Sequence, residues 1–339
     1  MNNPLLALPT VSVAMITYND ELIIAECLDS IFSQDYPKEK LKVLIVDGGS
    51  NDATHSIIKR TNAELIIRPD LKDQPYKRGE IAIDTPTTDI VVIFSADNRF
   101  LEKDCLKKMM ELFADNEIVA VETLRYGYRK NDPILSRYFA LIGGCDPIAV
   151  GLGKADRGPY DRKGWRGSGK VEDKGSYYSV AFSDDVSGIP TLGANGFAVR
   201  AEAVKRVGGF KDSLHIELCI ALIHSGLRKF GFVKDSHIVH FIDIAPNLFV
   251  KRRLLCAQMY SSRNMTREYQ IFAPRKDFLK LTWIILTYST FVIPFFRAIR
   301  GYIVHRDSAW FLHPLMCFSF TIGYGILYSK KIWNNFKRP

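Results

Sequence analysis

Three short segments of this chain concentrate side chains that bind polar ligands: Thr17-Tyr18-Asn19-Asp20-Glu21, Asp47-Gly48-Gly49-Ser50-Asn51-Asp52 and Ser95-Ala96-Asp97-Asn98. Carboxylate and amide oxygens accept hydrogen bonds and coordinate hard cations, and glycine lets a backbone come close to a ligand. Any one of these segments also reads as an ordinary turn, because Asn, Asp and Gly are the usual turn formers. Three of them at equivalent places in a repeating pattern point instead to one shared site.

The pattern is strand, polar loop, helix. Val11 to Thr17 is rich in β-branched residues and is followed by Leu22, Ile23, Cys27, Leu28, Ile31 and Phe32 at helical spacing, up to Pro37. Lys42 to Val46 reads as a second strand, with a helix expected over Asn51 to Arg60 and Ser50 or Asn51 near its cap. Glu64 to Arg68 and Asp89 to Phe94 are two further strands. Strands alternating with helices predict an α/β fold with a mostly parallel, twisted sheet covered on both faces. In such sheets ligands bind beyond the carboxyl ends of the strands, which is where the three polar loops fall. From Gly127 to Gly193 periodicity weakens and Gly, Lys, Arg and aromatics accumulate, predicting a long, partly irregular insertion.

The chain has 339 residues, 47% hydrophobic and 24% charged, which suits a folded protein with a full core and excludes a disordered or fibrous one. Six scattered cysteines with no C-x-x-C pair argue against a zinc ribbon, a redox dithiol or a disulfide framework. The net charge of +9 is uneven: from Pro246 onward 15 Lys and Arg stand against 3 Asp and Glu, so residues 1 to 245 carry 31 against 34. The basic third also holds the longest apolar runs, so anionic lipid explains the charge better than nucleic acid, which is not expected as a partner. The uncharged run Ser308 to Ser329 reads as a transmembrane helix, since its residues at ~1.5 Å each reach across ~30 Å of hydrocarbon. Leu281 to Phe296, with Pro294, reads as a kinked span, a re-entrant segment or a buried core helix. Arg297, Arg300 and Arg306 between the two runs conflict with a simple hairpin under the positive-inside rule. Lys251 to Lys280 reads as a basic membrane-surface segment, and Leu5 to Thr17 lacks the marks of a signal peptide.

Val11-Ser12-Val13-Ala14-Met15-Ile16-Thr17-Tyr18-Asn19, Val43-Leu44-Ile45-Val46-Asp47-Gly48-Gly49-Ser50-Asn51-Asp52 and Gly193-Ala194-Asn195-Gly196-Phe197 together resemble the family 2 glycosyltransferases of the GT-A fold, over residues 10 to 245. The resemblance implies a donor pocket for a nucleotide sugar, UDP- or GDP-linked, formed by Thr17, Asn19, Glu21, Asp47 and Gly49. Within it Asp47 reads the nucleobase edge, Lys77 and Arg78 contact phosphate, and Asn195 and Gly196 flank the sugar and acceptor. It also implies a divalent cofactor, Mg²⁺ or Mn²⁺, because the leaving diphosphate must be neutralised. The family's Asp-x-Asp is here Ser95-Ala96-Asp97, so Asp97 carries the protein's share, with Asn98 and His240 as the other candidate contacts.

Two further departures shape the expectation. After Gly208-Gly209-Phe210 the family places a Glu-Asp pair whose Asp is the general base; here Leu214 and His215 fall there, leaving His215 or Glu217 as candidate catalytic bases near neutral pH. A sugar hydroxyl needs a base and an ionised lipid phosphate does not, which tilts the acceptor toward polyprenyl phosphate, with a lipid-linked glycan as the other possibility. No Gln-x-x-Arg-Trp motif is present at Lys251-Arg252-Arg253, so a processive polymer synthase is not expected. The expectation is an inverting, metal-dependent glycosyltransferase of glycolipid or polysaccharide biosynthesis, with its catalytic domain (1–245) on the cytoplasmic side of the cell membrane. The expected remainder is a surface segment (246–280), one or two membrane helices (281–329) and a basic tail (330–339). The rival is a catalytically inactive protein of the same fold, suggested by Ser95 and His215. A nucleotidyltransferase would want a Gly-rich basic loop after the first strand, and Thr17 to Glu21 is not one.

Overall fold

A computed structural model describes residues 8–165, 167–210, 215–262 and 268–336. The chain divides into two compact units, one of residues 1–128 and 168–241, the other of 129–167 and 242–339. The first unit does not therefore run unbroken to 245. The Gly127 to Gly193 stretch is also not one irregular insertion, since its two halves belong to different units.

In chain order the elements of the first half are β1 (Val11–Thr17), α1 (Ile24–Phe32), β2 (Leu41–Asp47), α2 (Thr54–Ile58), β3 (Glu64–Ile67), α3 (Pro75–Asp84), β4 (Ile90–Ser95), β5 (Asn98–Phe100), α4 (Cys105–Glu111) and β6 (Ile118–Gly127). Next come α5 (Ile134–Ile142) and α6 (Pro147–Leu152), which belong to the second unit. The first unit resumes with β7 (Lys170–Asp173), β8 (Tyr177–Ala181), β9 (Phe197–Arg200), α7 (Ala201–Arg206), α8 (His215–His224) and β10 (Lys229–His240).

The ten strands among the described residues form one sheet in the order β3-β2-β1-β4-β9-β6-β10-β8-β7, with β5 on β10. Pairings β2/β3, β1/β2, β1/β4 and β6/β10 are parallel, whereas β9 lies antiparallel between β4 and β6. That reversal matters for the site. The parallel strands end at Thr17, Asp47, Ser95, Gly127 and His240, and β9 begins at that same end, so the Gly193 to Gly196 turn is delivered beside the polar loops. On one face Val11, Val13 and Met15, alternating along β1, are buried with Ile24, Cys27, Leu28 and Ile31 of α1 and Leu106 and Met109 of α4. Each such aliphatic burial is worth roughly 1.5–3 kcal/mol, which makes the strand ends rigid points from which loops can project.

The helix after β2 is shorter than its sequence suggests, starting at Thr54. The reason is local: Ser50 bonds Asp47 and Asn19, and Asp52 accepts the Thr54 N–H, so residues 50–53 are held as loop.

The second unit adds α9 (Pro246–Ser262), α10 (Pro274–Ser289), α11 (Val292–Val304) and α12 (His313–Phe336). Ser308–Ser329 is the one helical stretch among the described residues that is long and apolar enough to cross a membrane by itself, with mean hydropathy 1.3. The Leu281 to Phe296 run is broken: α10 and α11 meet at 84°, with Phe291 in the left-handed region at φ 62°. The break precedes Pro294, which sits in the first turn of α11 where a missing N–H is tolerated.

Candidate active site

The first two polar loops are laced together. Asn19 adopts φ 54°, donates its N–H to Ser50 Oγ (2.8 Å) and accepts the Asn51 N–H on Oδ1 (3.0 Å). Asp20 donates its N–H to Thr54 Oγ1, Glu21 donates its own to Asp52, and Glu21 Oε2 accepts from Ala53 N–H (2.8 Å). Asp47 lies at the centre, fully buried. Its Oδ1 accepts from Gly49 N–H, Ser50 N–H and His55 Nε2, and its Oδ2 from the Ser50 hydroxyl at 2.5 Å. Burial opposes ionisation of Asp47, but the donors, led by Ser50 and His55, outweigh it and hold the carboxyl below its ordinary range. Gly49 turns at φ 83°, where a Cβ would press on the Pro69 ring at 2.9 Å. Thr17 bonds the Asp20 carboxylate through its hydroxyl (2.7 Å).

The two expected phosphate contacts part company. Arg78 is buried beneath the loops, where its guanidinium donates to the Thr17 carbonyl (2.6 Å) and lies against Gly48, so it supports the backbone instead of facing outward. Lys77 pairs with Glu80 at 3.1 Å along α3. Nearer the loops a different cation appears: Lys72 Nζ sits 5.1 Å from the centre of the Tyr18 ring.

The third loop and the turn before β9 form one network. Asp97 Oδ2 stands 3.3 Å from His240 Nε2, and the Asp97 carbonyl accepts from Phe241 N–H, tying the loop to the end of β10. Asn98, fully buried and opposite His240 in the β5/β10 register, accepts from Ser95 N–H and donates its amide to Asp97 (3.3 Å) and to Asn195 Oδ1 (3.1 Å). Its oxygen thus faces the loop backbone and Asn98 braces Asp97. It is not placed as a metal contact. Asn195 adopts φ 54° and donates to the Tyr126 hydroxyl (2.8 Å), whose ring tilts against His240 at 5.9 Å. Four residues back on the same face of β6, buried Glu122 accepts the Gly193 N–H (3.0 Å). Gly196 turns at φ 91° against the Ile238 side chain.

Burial raises the Asp20 carboxyl above its ordinary range, opposed by hydrogen bonds from Thr17 and Tyr18 and reinforced by the charges of Asp97 and Asp52. Asp20, Asp52 and Asp97, one from each loop, thus bring acidic side chains to the same end of the sheet, its acidic mouth, with Asp52 and Asp97 near enough to Asp20 for their charges to act on it. As a cation site, the mouth offers Asp97 and His240 facing each other, and no group of three or more His, Cys, Asp or Glu suited to a metal occurs among the described residues. One carboxylate and one imidazole suit a divalent ion whose other positions are filled by diphosphate oxygens and water, and the imidazole suits Mn²⁺ better than Mg²⁺.

His215 opens α8, and a Cβ on Gly193 would meet its carbonyl at 2.5 Å, so it adjoins the Asn195 turn. Its Nδ1 is buried with no hydrogen-bond partner among the described residues, and burial pushes the imidazole from 6.5 down to about 4. It does not titrate near neutrality, contrary to what its type alone suggests. Glu217 lies two residues on in α8, part-buried. Leu214 lies outside the described residues. His237, which no motif claimed, is held by Glu102 through both ring and backbone.

Asp20, His55, Tyr126 and Glu122 were not singled out from the sequence. Asp20 was visible inside the first loop. Tyr126 and Glu122 read as interior strand residues, and only their i, i+4 spacing hinted at a shared face.

Residues 12–149 match the family model described as glycosyl transferase family 2. The chain is 34% identical over 109 residues to the dolichyl N-acetyl-α-D-glucosaminyl phosphate 3-β-D-2,3-diacetamido-2,3-dideoxy-β-D-glucuronosyltransferase of Methanococcus voltae, covering 30% of this chain and 33% of that one. It is 35% identical over 103 residues to glycosyltransferase AglE of Haloferax volcanii, covering 29% and 31%. The matched segment thus spans about a third of these relatives. Among solved structures, a mannosyltransferase of Pyrobaculum calidifontis in complex with GDP-Man and Mn²⁺ superposes with a TM-score of 0.54 at 17% identity, over 97% of this chain and 89% of that one, a likeness of fold.

Proposed function

We propose, from the premise that the chain carries a family 2 glycosyltransferase domain of the GT-A fold, that it moves a sugar from a UDP- or GDP-sugar to a lipid phosphate at a membrane surface. The observation that carries this reading is the meeting of the 17–21, 47–54 and 95–98 loops with the Asn195 turn at one end of the sheet. Such a site grips a nucleoside at the laced loops and a diphosphate at the acidic mouth.

Asp97 and His240 are the residues suited to a divalent cation, Mn²⁺ or Mg²⁺, which when bound would neutralise the departing diphosphate. Asn98 keeps the Asp97 carboxylate aimed, and Tyr126 keeps Asn195 beside the sugar. The acceptor oxygen attacks the anomeric carbon as the bond to the diphosphate oxygen breaks, inverting that carbon. A sugar hydroxyl must shed a proton in this step, and His215, held neutral with a pKa of about 4, is a weak base for it. A lipid phosphate is already ionised and needs no base, which favours it as acceptor.

A second reading keeps the donor and replaces the acceptor by a lipid-linked glycan, with Glu217 taking the proton. The Methanococcus voltae relative, named for transfer to a dolichyl-linked sugar phosphate, favours it. Membrane attachment through the basic, apolar second unit, on the cytoplasmic face, belongs to both readings. The test is nucleoside diphosphate release from a panel of UDP- and GDP-sugars, with and without Mn²⁺, offering polyprenyl phosphate or lipid-linked oligosaccharide. Product on polyprenyl phosphate supports the first reading; product on glycan alone overturns it. Nucleotide binding without turnover on any acceptor would point to the non-catalytic rival.

A further inference from the structure

We infer that the second unit rests in one leaflet of an anionic membrane, without crossing it, with the bend between α10 and α11 as its deepest point. This deepens the membrane attachment proposed above and rests on it, and does not depend on sugar transfer.

The first ground is where charge is buried along the helices. A helix that crosses hydrocarbon needs ~20 predominantly apolar residues, about 30 Å, and charges carried into it with the helix are costly. In α12, His313 bonds the Tyr138 hydroxyl (2.8 Å), and Tyr324 donates its hydroxyl to the Asp146 carboxylate (2.6 Å). These two contacts lie eleven residues apart along the helix, about 16 Å at ~1.5 Å per residue. Just before α12, Asp307 pairs with Arg137 at 2.8 Å. The stretch that looks like a span in sequence is therefore crossed at its start and near its far end by partners from the 129–167 segment.

The same segment follows the other two helices. Lys154, almost wholly buried, bonds Asp277 (2.7 Å) at the start of α10, Tyr288 near its end donates to the Pro147 carbonyl (3.3 Å), and Arg297 in α11 bonds Asp161 (3.3 Å). Arg162 and Lys163, next to Asp161, are exposed. A bilayer that enclosed α10, α11 and α12 from end to end would also enclose the exposed Arg162 and Lys163, each costing ~2.5–3.5 kcal/mol at the centre of a membrane.

The second ground is the shape and facing of the bent pair. Lys280 and Arg297 bracket its apolar run, which turns through 84° between them, so neither arm reaches beyond about half the hydrocarbon thickness. Around that bend Trp283, Leu286, Val292, Phe295 and Phe296 are exposed, while Phe291 stacks on Phe318 in the second turn of α12 at 4.6 Å. Arg275, Lys276 and Lys280 lie before the bend and Arg300 and Arg306 after it, so both arms end in cations suited to headgroups on one side. A re-entrant bend also removes the conflict of three arginines in a loop that a hairpin would push across the membrane. The excess of 15 cations over 3 anions from Pro246 onward matches an anionic surface.

The experiment uses the full chain and preformed vesicles of phosphatidylcholine, with or without phosphatidylglycerol. Cosedimentation with the anionic vesicles is expected. A Phe295→Glu/Phe296→Glu variant of unchanged far-ultraviolet circular dichroism should bind on the order of a hundredfold more weakly. In a background with Cys145 and Cys256 replaced by Ser, single reporters Lys163→Cys and Ser329→Cys should both react with an impermeant maleimide added outside the bound vesicles. Protection of Ser329→Cys until detergent is added means that α12 crosses, and overturns the inference. Failure of the wild type to bind any vesicle overturns both it and membrane attachment, while nucleotide-sugar turnover, measured separately, is untouched. A lipid-free dimer that the double Glu variant dissolves would assign the apolar face to a second copy and overturn it too.

Discussion

His215 is the position where a substitution separates structure from chemistry most sharply. Burial lowers its pKa from 6.5 to about 4 in the folded chain. Below about pH 6.5 the unfolded chain takes up a proton at this side chain that the folded chain refuses until about pH 4. Stability from this site is therefore complete above 6.5 and is lost as pH falls toward 4. The difference of 2.5 pH units, at 1.36 kcal/mol each, amounts to about 3 kcal/mol. His215→Gln preserves a polar side chain of similar reach that does not titrate. Urea unfolding of both proteins between pH 7 and pH 4 should show the wild-type advantage shrinking by about 3 kcal/mol across that interval. At pH 7, with polyprenyl phosphate as acceptor, kcat of the variant should stay within roughly tenfold of wild type, because a general base typically contributes 10²–10⁴ and none is required. Parallel unfolding curves would refute the buried-imidazole account, and a kcat loss of 10² or more would refute the base-free one. The two readouts fail independently.

Asp97→Asn removes the carboxylate that stands 3.3 Å from His240, so Mn²⁺ affinity in the presence of nucleoside diphosphate, followed by water-proton relaxation, should weaken roughly tenfold or more while the nucleotide alone still binds; unchanged Mn²⁺ affinity would move the cation elsewhere. Gly196→Ala forces a Cβ at φ 91° into the Ile238 side chain, so thermal unfolding should show a loss above ~1 kcal/mol together with reduced turnover. A stable, fully active Gly196→Ala protein would mean the turn has room to shift.

Which parts of this molecule could be read in advance follows from how far each interaction reaches along the chain. β1, β2 and their loops were legible because their signals are local: β-branched runs set the strands, and Asn19, Asp47 and Ser50 are bound to each other or to residues within the neighbouring loop. The length of α2 was not legible, because Ser50 and Asp52 suit a helix cap and a loop brace equally well. The roles of Arg78, Asn98 and His215 were hidden for a different reason. Each is a polar side chain of the type a ligand site needs, and each is claimed by burial or by partners remote in sequence, such as Thr17 for Arg78 and Asn195 for Asn98. The apolar helices are the extreme case. Hydropathy counts side chains along one segment, and by that measure Ser308 to Ser329 is a span; its polar character comes from Tyr138 and Asp146, more than 170 residues away in the chain. Those residues belong to a segment that reads in sequence as part of a long, partly irregular insertion, yet it supplies charged partners to the helical unit. On the proposal that this unit rests in one leaflet, that segment adds its own charges to Lys280 and Arg297 of the helices in limiting how deep they sink.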